Sequence, residues 1–384
     1  GMFVAFGTAI YLLPEGVGML DATRVAGTLG RLNAIDFSFD LTNRYNFWSG
    51  ILGGCFLALS YFGTDQSQVQ RYLTGSSVAQ SRQGLLFNGL VKVPMQFFIL
   101  FLGAMVFAFY QFVTPPIFFN PQEVQNIKQS AYAEQFEAIE SRHESAFDDK
   151  LARVNDLLAA HDAGDATTIA ASKEALLAAD DQMAGVRGEA IALMQENNPE
   201  IDTSDTNYVF LTFVVGYLPV GLVGLLIAAI LFASMSSTSS ELNALASTAV
   251  VDIYRRLLNR DATDKHYVLA SRLATVFWGI FAILFAEYAS RLGSLVEAVN
   301  ILGSIFYGTI LGIFLLAFYT KRISGTAAFA AAVVAEIAVV WCFVATDISF
   351  LWYNVIGCVL VFAFGLLFHA VLGGGPRPSE GATT

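Results

Sequence analysis

Apolar runs long enough to cross a bilayer recur along this chain, separated by short polar connections and by one long polar segment. A helix needs ~20 residues to traverse a ~30 Å hydrocarbon core. Residues 93–112 are 20 uncharged positions, 207–240 are 34 and 298–320 are 23. Residues 323–346 are uncharged except for Glu336, and 348–375 hold His369 as their one titratable side chain apart from Tyr353 and Cys358. A further span centres on 274–286. Residues 47–61 form a shorter apolar run, interrupted by Gly50, Gly53 and Gly54 and followed by Gly63-Thr64-Asp65, so a broken or unwound span is expected there. The 34-residue stretch contains Pro219 and divides into a lateral or re-entrant piece and a full crossing. Residues 1–13 are apolar from the start and read as the second half of a helix, which makes the chain an N-terminally truncated piece. Residues 15–45 are a polar loop with a short helix near 21–32. The pattern predicts seven crossings after one partial helix: an all-α, polytopic membrane bundle.

The long polar segment has its own periodicity. Phe147, Leu151, Val154 and Leu158 share one helix face, and Met183, Val186, Ala190 and Leu193 share another. Between them His161-Asp162-Ala163-Gly164-Asp165 has turn chemistry. An antiparallel helical hairpin is expected over 115–206, between membrane parts at 1–114 and 207–375, with a flexible tail at 376–384. Two readings of the hairpin stay open, a solvated spacer packing on itself and a ligand-binding or sensing domain.

Composition sharpens this picture. Charged residues make up 14% of the chain, against roughly 25% in soluble domains, and the mean hydropathy is +0.57. The net charge of -11 suggests an acidic protein. Between Glu123 and Asp205, however, 18 acidic and 6 basic residues give -12, which leaves the remainder at +1. Lys and Arg sort by alternate connections: Arg71 and Arg82, then Arg255, Arg256, Arg260, Lys265 and Arg272, then Lys321 and Arg322, then Arg377. The opposite set holds Arg24, Arg31, Arg44 and Arg291 outside the hairpin. The positive-inside rule makes the first set and the C-terminus cytoplasmic and the hairpin extracellular, in a plasma (inner) membrane. Cys55, Cys342 and Cys358 fall within apolar spans and read as small buried hydrophobes.

Candidate chemistry concentrates in two places. Ala233, Ser236, Ser237 and Ser240 stand at i, i+3, i+4 and i+7, on one helix face at the end of an apolar span. Hydroxyls and an accessible carbonyl are ligands that a hard monovalent cation accepts in place of water; small and hydroxyl residues equally permit close helix packing. Residues 60–71, Ser-Tyr-Phe-Gly-Thr-Asp-Gln-Ser-Gln-Val-Gln-Arg, fit either an unwound, cavity-lining segment or a helix end with an interfacial Tyr and an Arg anchor. Among charges in or near spans, Lys92 and Glu287 lie close enough to ends to snorkel; Glu297 is near an end as well, while Glu336 is mid-span and is expected to face a partner or cavity. There is no His-Glu-x-x-His, no Cys-x-x-Cys, no phosphate-gripping glycine loop and no G-x-S-x-G elbow, so an enzyme is not expected.

With the stretch 61–73 (Tyr-Phe-Gly-Thr-Asp-Gln-Ser-Gln-Val-Gln-Arg-Tyr-Leu), the run Ala233 to Ser240 followed by Glu-Leu-Asn243 and Val-Asp-Ile-Tyr254, and the order of spans around them, the chain resembles the sodium:solute symporter family. The resemblance implies an inverted-repeat core of five plus five helices with discontinuous helices meeting at mid-membrane. It places residue 1 inside the fifth core helix and the first four outside this chain. It further implies that Ala233, Ser236 and Ser237 are eighth-helix ligands of a shared sodium site, and that Ser239 and Ser240, with Ser236, belong to a second one. Tyr61 resembles an inner gate, and Asn300 and Lys92 fall at substrate-side positions. The function so implied is sodium-coupled symport of a sugar, sugar acid or carboxylate by alternating access. The partners are sodium, the solute and the lipid bilayer, with no nucleic acid. A seven-span sensor using the acidic hairpin is the alternative.

Overall fold

The computed structural model describes residues 1–33, 35–289, 295–320 and 323–372. Arg291, Lys321, Arg322, Arg377 and the tail at 376–384, which entered the orientation and domain expectations, lie outside the described residues. The described chain is helical: α1 (Met2–Tyr11), α2 (Met19–Thr28), a π-helical turn (Ser49–Gly53), α3 (Gly54–Thr64), α4 (Gln66–Leu73), α5 (Val78–Phe109), α6 (Pro121–Lys128), α7 (Ala133–Ala163), α8 (Ala166–Asn197) and α9 (Thr206–Tyr217). There follow α10 (Val220–Ser247), a π-helical stretch (Thr248–Leu258), α11 (Asp264–Ala289), α12 (Leu295–Tyr319), α13 (Gly325–Ala345) and α14 (Phe350–Leu372).

Six described helices are long and apolar enough to cross a membrane, against the seven expected. The difference is the glycine-broken run, whose helix Ser49–Thr64 rises only ~24 Å at 1.5 Å per residue. α5 also departs from expectation. It begins at Val78, and Pro94 lies inside it rather than at its start. Residues 78–92 mix Gln80, Arg82 and Asn88 with Leu85, Leu86 and Phe87, which hides a helix from a hydropathy reading. Pro within a membrane helix is tolerated where neighbouring groups satisfy the freed carbonyl.

The chain divides into two compact units, with one division between α2 and α3 and the others within α5 and α10. The first contains residues 1–34 and 88–235. Its hairpin, α7 against α8, turns at Gly164, where φ of +71° suits a residue without Cβ. Asp165 then caps α8, accepting hydrogen bonds from the Thr167 and Thr168 amides at 3.2 Å. Both expected faces are inward: Phe147 and Val154 on α7, and Met183, Val186, Ala190 and Leu193 on α8, are buried.

The hairpin does not pack on itself alone, however. Val154, Leu157 and Leu176 share one core with Ala22 and Val25 of α2 and with Met105 and Ala108 of α5. At its root, Arg187 donates to the Ile117 carbonyl at 3.1 Å and to Asp205 at 2.7 Å, while Asp205 accepts from the Phe119 amide at 2.7 Å. The expectation of a self-packed spacer is corrected accordingly: apolar residues on α7 and α8 beyond their mutual seam need a surface to cover, and α2 with α5 supplies it.

A charge pair with a buried lysine ties the hairpin internally. Lys150 on α7, 5% exposed, meets Asp180 on α8 at 2.6 Å. His143, 3% exposed on the same helix, lies near Arg187 and Lys150, whose partners are Asp205 and Asp180. Burial first, then the positive charges of Arg187 and Lys150, hold its imidazole below the usual range. The folded hairpin therefore takes up a proton at His143 less readily than the unfolded chain, whose imidazole titrates near pH ~6.5. Stability is present above that pH and is lost as pH falls through it toward the folded value. Amide exchange in α7 and α8, corrected for intrinsic rates, is expected to quicken from pH 7.5 to 5.5 in the full protein. His143→Gln should flatten the response, and identical profiles for the two proteins would refute the assignment.

The second unit contains residues 35–87 and 236–384. α12 packs along α14, α13 against both, and α3 against α12. Ile305, Val339, Phe350, Leu351 and Tyr353 form one core, and Leu316, Ile323, Ala327, Ala335 and Val361 another. Close helix approach depends on glycine here: a Cβ on Gly53 would lie 2.6 Å from the Leu351 carbonyl oxygen. That contact also explains a departure at cysteine. Cys358 is buried and Cys342 partly so, but Cys55 is exposed, because two residues on from Gly53 a helix has turned about 200° away from α14. Glu336 lies half-buried beside Thr309 of α12, facing the bundle as a mid-span acid should. Glu297 forms an ion pair with Arg44.

Candidate functional site

α10 carries the serine run in its second half, ending about two turns before its C-terminus. Its uninterrupted helix puts Ala233, Ser236, Ser237 and Ser240 on one face, as their spacing requires. Ala233, Ser236, Ser237 and Ser239 are exposed and Ser240 is half-buried. The exposed hydroxyls of Ser236 and Ser237, one turn beyond the Ala233 carbonyl, form a row of neutral oxygens along the helix. Beyond Ser247 the backbone widens into the π-helical stretch, a distortion that frequently accompanies functional sites.

The second motif forms an elbow. α3 ends at Thr64, whose hydroxyl returns to the Ser60 carbonyl at 2.9 Å. Asp65 then leaves the helical region, with φ -71° and ψ 119°, and caps α4 by accepting from the Ser67 amide at 2.8 Å and the Ser67 hydroxyl at 2.6 Å. The break expected from Gly63-Thr64-Asp65 is therefore present, held by a capping aspartate, whereas at Gly50, Gly53 and Gly54 the helix continues through a π-helical turn. On the α3 side, Ser60 donates to the Tyr307 carbonyl of α12 at 2.8 Å. On the α4 side, Arg71 donates to Ser240 of α10 at 3.3 Å, and Thr248 hydrogen-bonds Gln66.

The elbow thereby joins the two motifs within the second unit. Tyr61, half-buried and edge-on to Phe62, lies within electrostatic reach of Asp65, Glu241, Arg71 and Tyr72, and Tyr307 within reach of Asp65, Tyr61 and Glu241. Arg71, Gln66, Thr248 and Tyr307 are contacts that the sequence did not single out as site residues. Arg71 lay in the quoted motif, but nothing in its spacing named Ser240 as its acceptor. Ser240 is also distinguished from its neighbours, because one hydroxyl lone pair already accepts from a guanidinium. Asn300, half-buried on α12, falls in the same unit, whereas Lys92 on α5 and Ala233 fall in the first.

Comparison with known proteins gives the following similarities. Residues 180–335 match the sodium:solute symporter family model, a segment that includes the serine face and excludes the elbow motif. The sodium/sialic acid symporter NanT of Aliivibrio fischeri is 32% identical over 184 residues, 47% of this chain and 36% of that protein. The sodium/glucose cotransporter of Vibrio parahaemolyticus is 30% identical over 38% of this chain and 26% of its own length. A putative sodium-dependent multivitamin transporter of Drosophila melanogaster is 24% identical over 84% of the chain and 41% of its own length. A solved structure of a Na⁺-coupled sialic acid symporter in a substrate-bound outward-open state has the same fold, with a TM-score of 0.63 and 20% identity over 98% of this chain and 60% of that one. The chain thus spans less than half the length of the curated relatives named here, all of them transporters. Over residues 180–335 the chain thus resembles the sodium:solute symporter family, and it shares the fold of a solved Na⁺-coupled symporter.

Proposed function

We propose that this chain forms part of a sodium-coupled symporter that carries a small organic solute, a sugar, sugar acid or carboxylate, across the plasma membrane by alternating access. The observation that carries the reading is the exposed hydroxyl face of α10, which lies within the family-matched residues. Ala233, Ser236 and Ser237 supply oxygens to one sodium ion, and Ser236, Ser239 and Ser240 to a second. Neutral oxygens suit a monovalent cation, which must be held firmly enough to enter and loosely enough to leave. Sodium binds one conformation better than the other, and that difference couples its gradient to the solute. Tyr61, at the elbow held by Asp65 and Arg71, closes the inner exit. Asn300 and Lys92 contact the solute.

The same reading makes the helices part of a five-plus-five inverted-repeat core, with the hairpin at 115–206 outside and the C-terminus cytoplasmic. The named relatives support sodium as the coupling ion and include carriers of a sialic acid and of glucose. Proteoliposomes holding the complete gene product should accumulate one member of a panel of sialic acid, glucose and simple carboxylates under an inward sodium gradient, and not under an equal potassium gradient. Equal accumulation in both gradients would overturn the proposal.

A further inference from the structure

We infer that the junction between the π-helical stretch and α11 is a binding site for an anionic phospholipid, with the lipid phosphate held by arginines. The inference does not depend on the transport reading. Val251, Arg255, Arg256, Leu257 and Arg260 line a cavity of about 640 Å³. A neighbouring cavity of about 310 Å³ shares Val251 and Arg255 with it and adds Arg272 of α11. Four arginines line these two adjoining cavities, and no carboxylate lines either. The nearest ion pair is weak, with Asp252 3.8 Å from Arg256.

The arginines are positioned by other contacts. Arg255 sits over the Tyr267 ring at 5.1 Å, and Arg260 donates to the Arg256 carbonyl at 2.8 Å. Tyr267 in turn donates to the Asn259 carbonyl at 2.7 Å, and Tyr254 hydrogen-bonds His266 at 2.9 Å, which fixes the turn between the two helices. Such an arrangement presents planar donor forks at little entropic cost, and guanidinium forks match phosphate oxygens two at a time.

The apolar wall selects the occupant. Val251, Leu257 and Val268 are 47%, 74% and 53% exposed, and α10 and α11 run from this point as uncovered, membrane-length apolar helices. A free anion would leave those side chains uncovered. A phospholipid fills both parts, its phosphate among the guanidiniums and an acyl chain along the valines and leucine. Basic pockets at helix ends on the side facing anionic lipid bind such headgroups. The tendency of cytoplasmic connections to be basic accounts for the number of arginines, but not for their gathering around two adjoining cavities that no carboxylate lines.

The test is thermal unfolding of the full-length protein in neutral detergent, titrated with phosphatidylglycerol, phosphatidylcholine or inorganic phosphate. Phosphatidylglycerol alone should raise Tm in a saturable way. The double variant Arg255→Gln/Arg256→Gln should raise the half-saturating lipid concentration about tenfold, as should Arg260→Gln to a smaller degree, while Arg82→Gln should not change it. If the glutamine variants fail to fold, Arg255→Lys/Arg256→Lys keeps the charge, loses the bidentate geometry and should still weaken binding severalfold. Equal stabilisation by phosphatidylcholine or by inorganic phosphate, or an unchanged titration in the folded variants, would overturn the inference.

Discussion

Replacing Ser236 or Ser237 by alanine is expected to raise the sodium concentration for half-maximal solute uptake by about tenfold, with a smaller change in the rate at saturating sodium. Each substitution removes one neutral oxygen from the proposed ion site and leaves the helix intact, since Ala propagates a helix at least as well as Ser. An interaction with a charged group contributes ~1.5–3 kcal/mol, and about 1.4 kcal/mol corresponds to a factor of ten. The loss appears as sodium affinity because the oxygen contacts the ion rather than the solute. Ser240→Ala separates the two proposed sites. Its hydroxyl already accepts from Arg71 at 3.3 Å, so its removal should alter sodium stoichiometry or gating more than the affinity of the first site. Thr238, off the shared face, is the control and should be silent. Sodium dependence unchanged in both the Ser236 and the Ser237 variants would eliminate the assignment of this helix as the ion-binding element.

The serine face was legible in the chain through its periodicity. Ala233, Ser236, Ser237 and Ser240 share a face in any straight helix, and the uncharged length before them makes that helix nearly inevitable. The hairpin was legible for the same reason, its buried positions recurring at three and four residues over more than three turns. What escaped was non-local. Arg187 and Asp205 looked like two charges in an acidic segment until the fold brought them to 2.7 Å and gave each a backbone partner. Likewise, nothing in the sequence pairs Arg44 with Glu297 or Arg71 with Ser240, which are 253 and 169 positions apart. The start of α5 was lost for a different reason: its first four turns mix polar and apolar residues, so a rule tuned to uniform apolarity begins the helix at Val93 rather than Val78.

Gly308→Ala is expected to lower the thermal stability of the protein by several degrees, although it adds one methyl group to a helix of otherwise ordinary composition. In most helices that change is favourable. Here an added Cβ would lie 2.4 Å from the Asn354 carbonyl oxygen and 2.7 Å from its Cα, backbone atoms that no rotamer change can move. The neighbouring contacts offer no relief. A Cβ on Gly312 would be 2.7 Å from Val361, and one on Gly357 of α14 would be 2.9 Å from the Thr309 amide nitrogen, so α12 and α14 approach through small residues on both sides. The helices must separate, at a cost of about 1–3 kcal/mol for overpacking. Separation also stretches the hydrogen bond from Asn354 to Ser304, now 3.0 Å between two fully buried side chains. Gly325→Ala, at the first position of α13 where nothing lies within 4 Å of an added Cβ, is the matched control and should leave Tm unchanged. If the two variants unfold at the same temperature, α12 and α14 are not in backbone contact. The displacement should also reach function, because Ser60 of α3 is bonded to the carbonyl of Tyr307, the residue immediately before Gly308. A shift of that carbonyl moves the helix carrying Tyr61, so in the surviving folded fraction the solute should leak past the inner exit without sodium. Leak-free uptake in Gly308→Ala would leave the Ser60 bond structural and remove it from the gate.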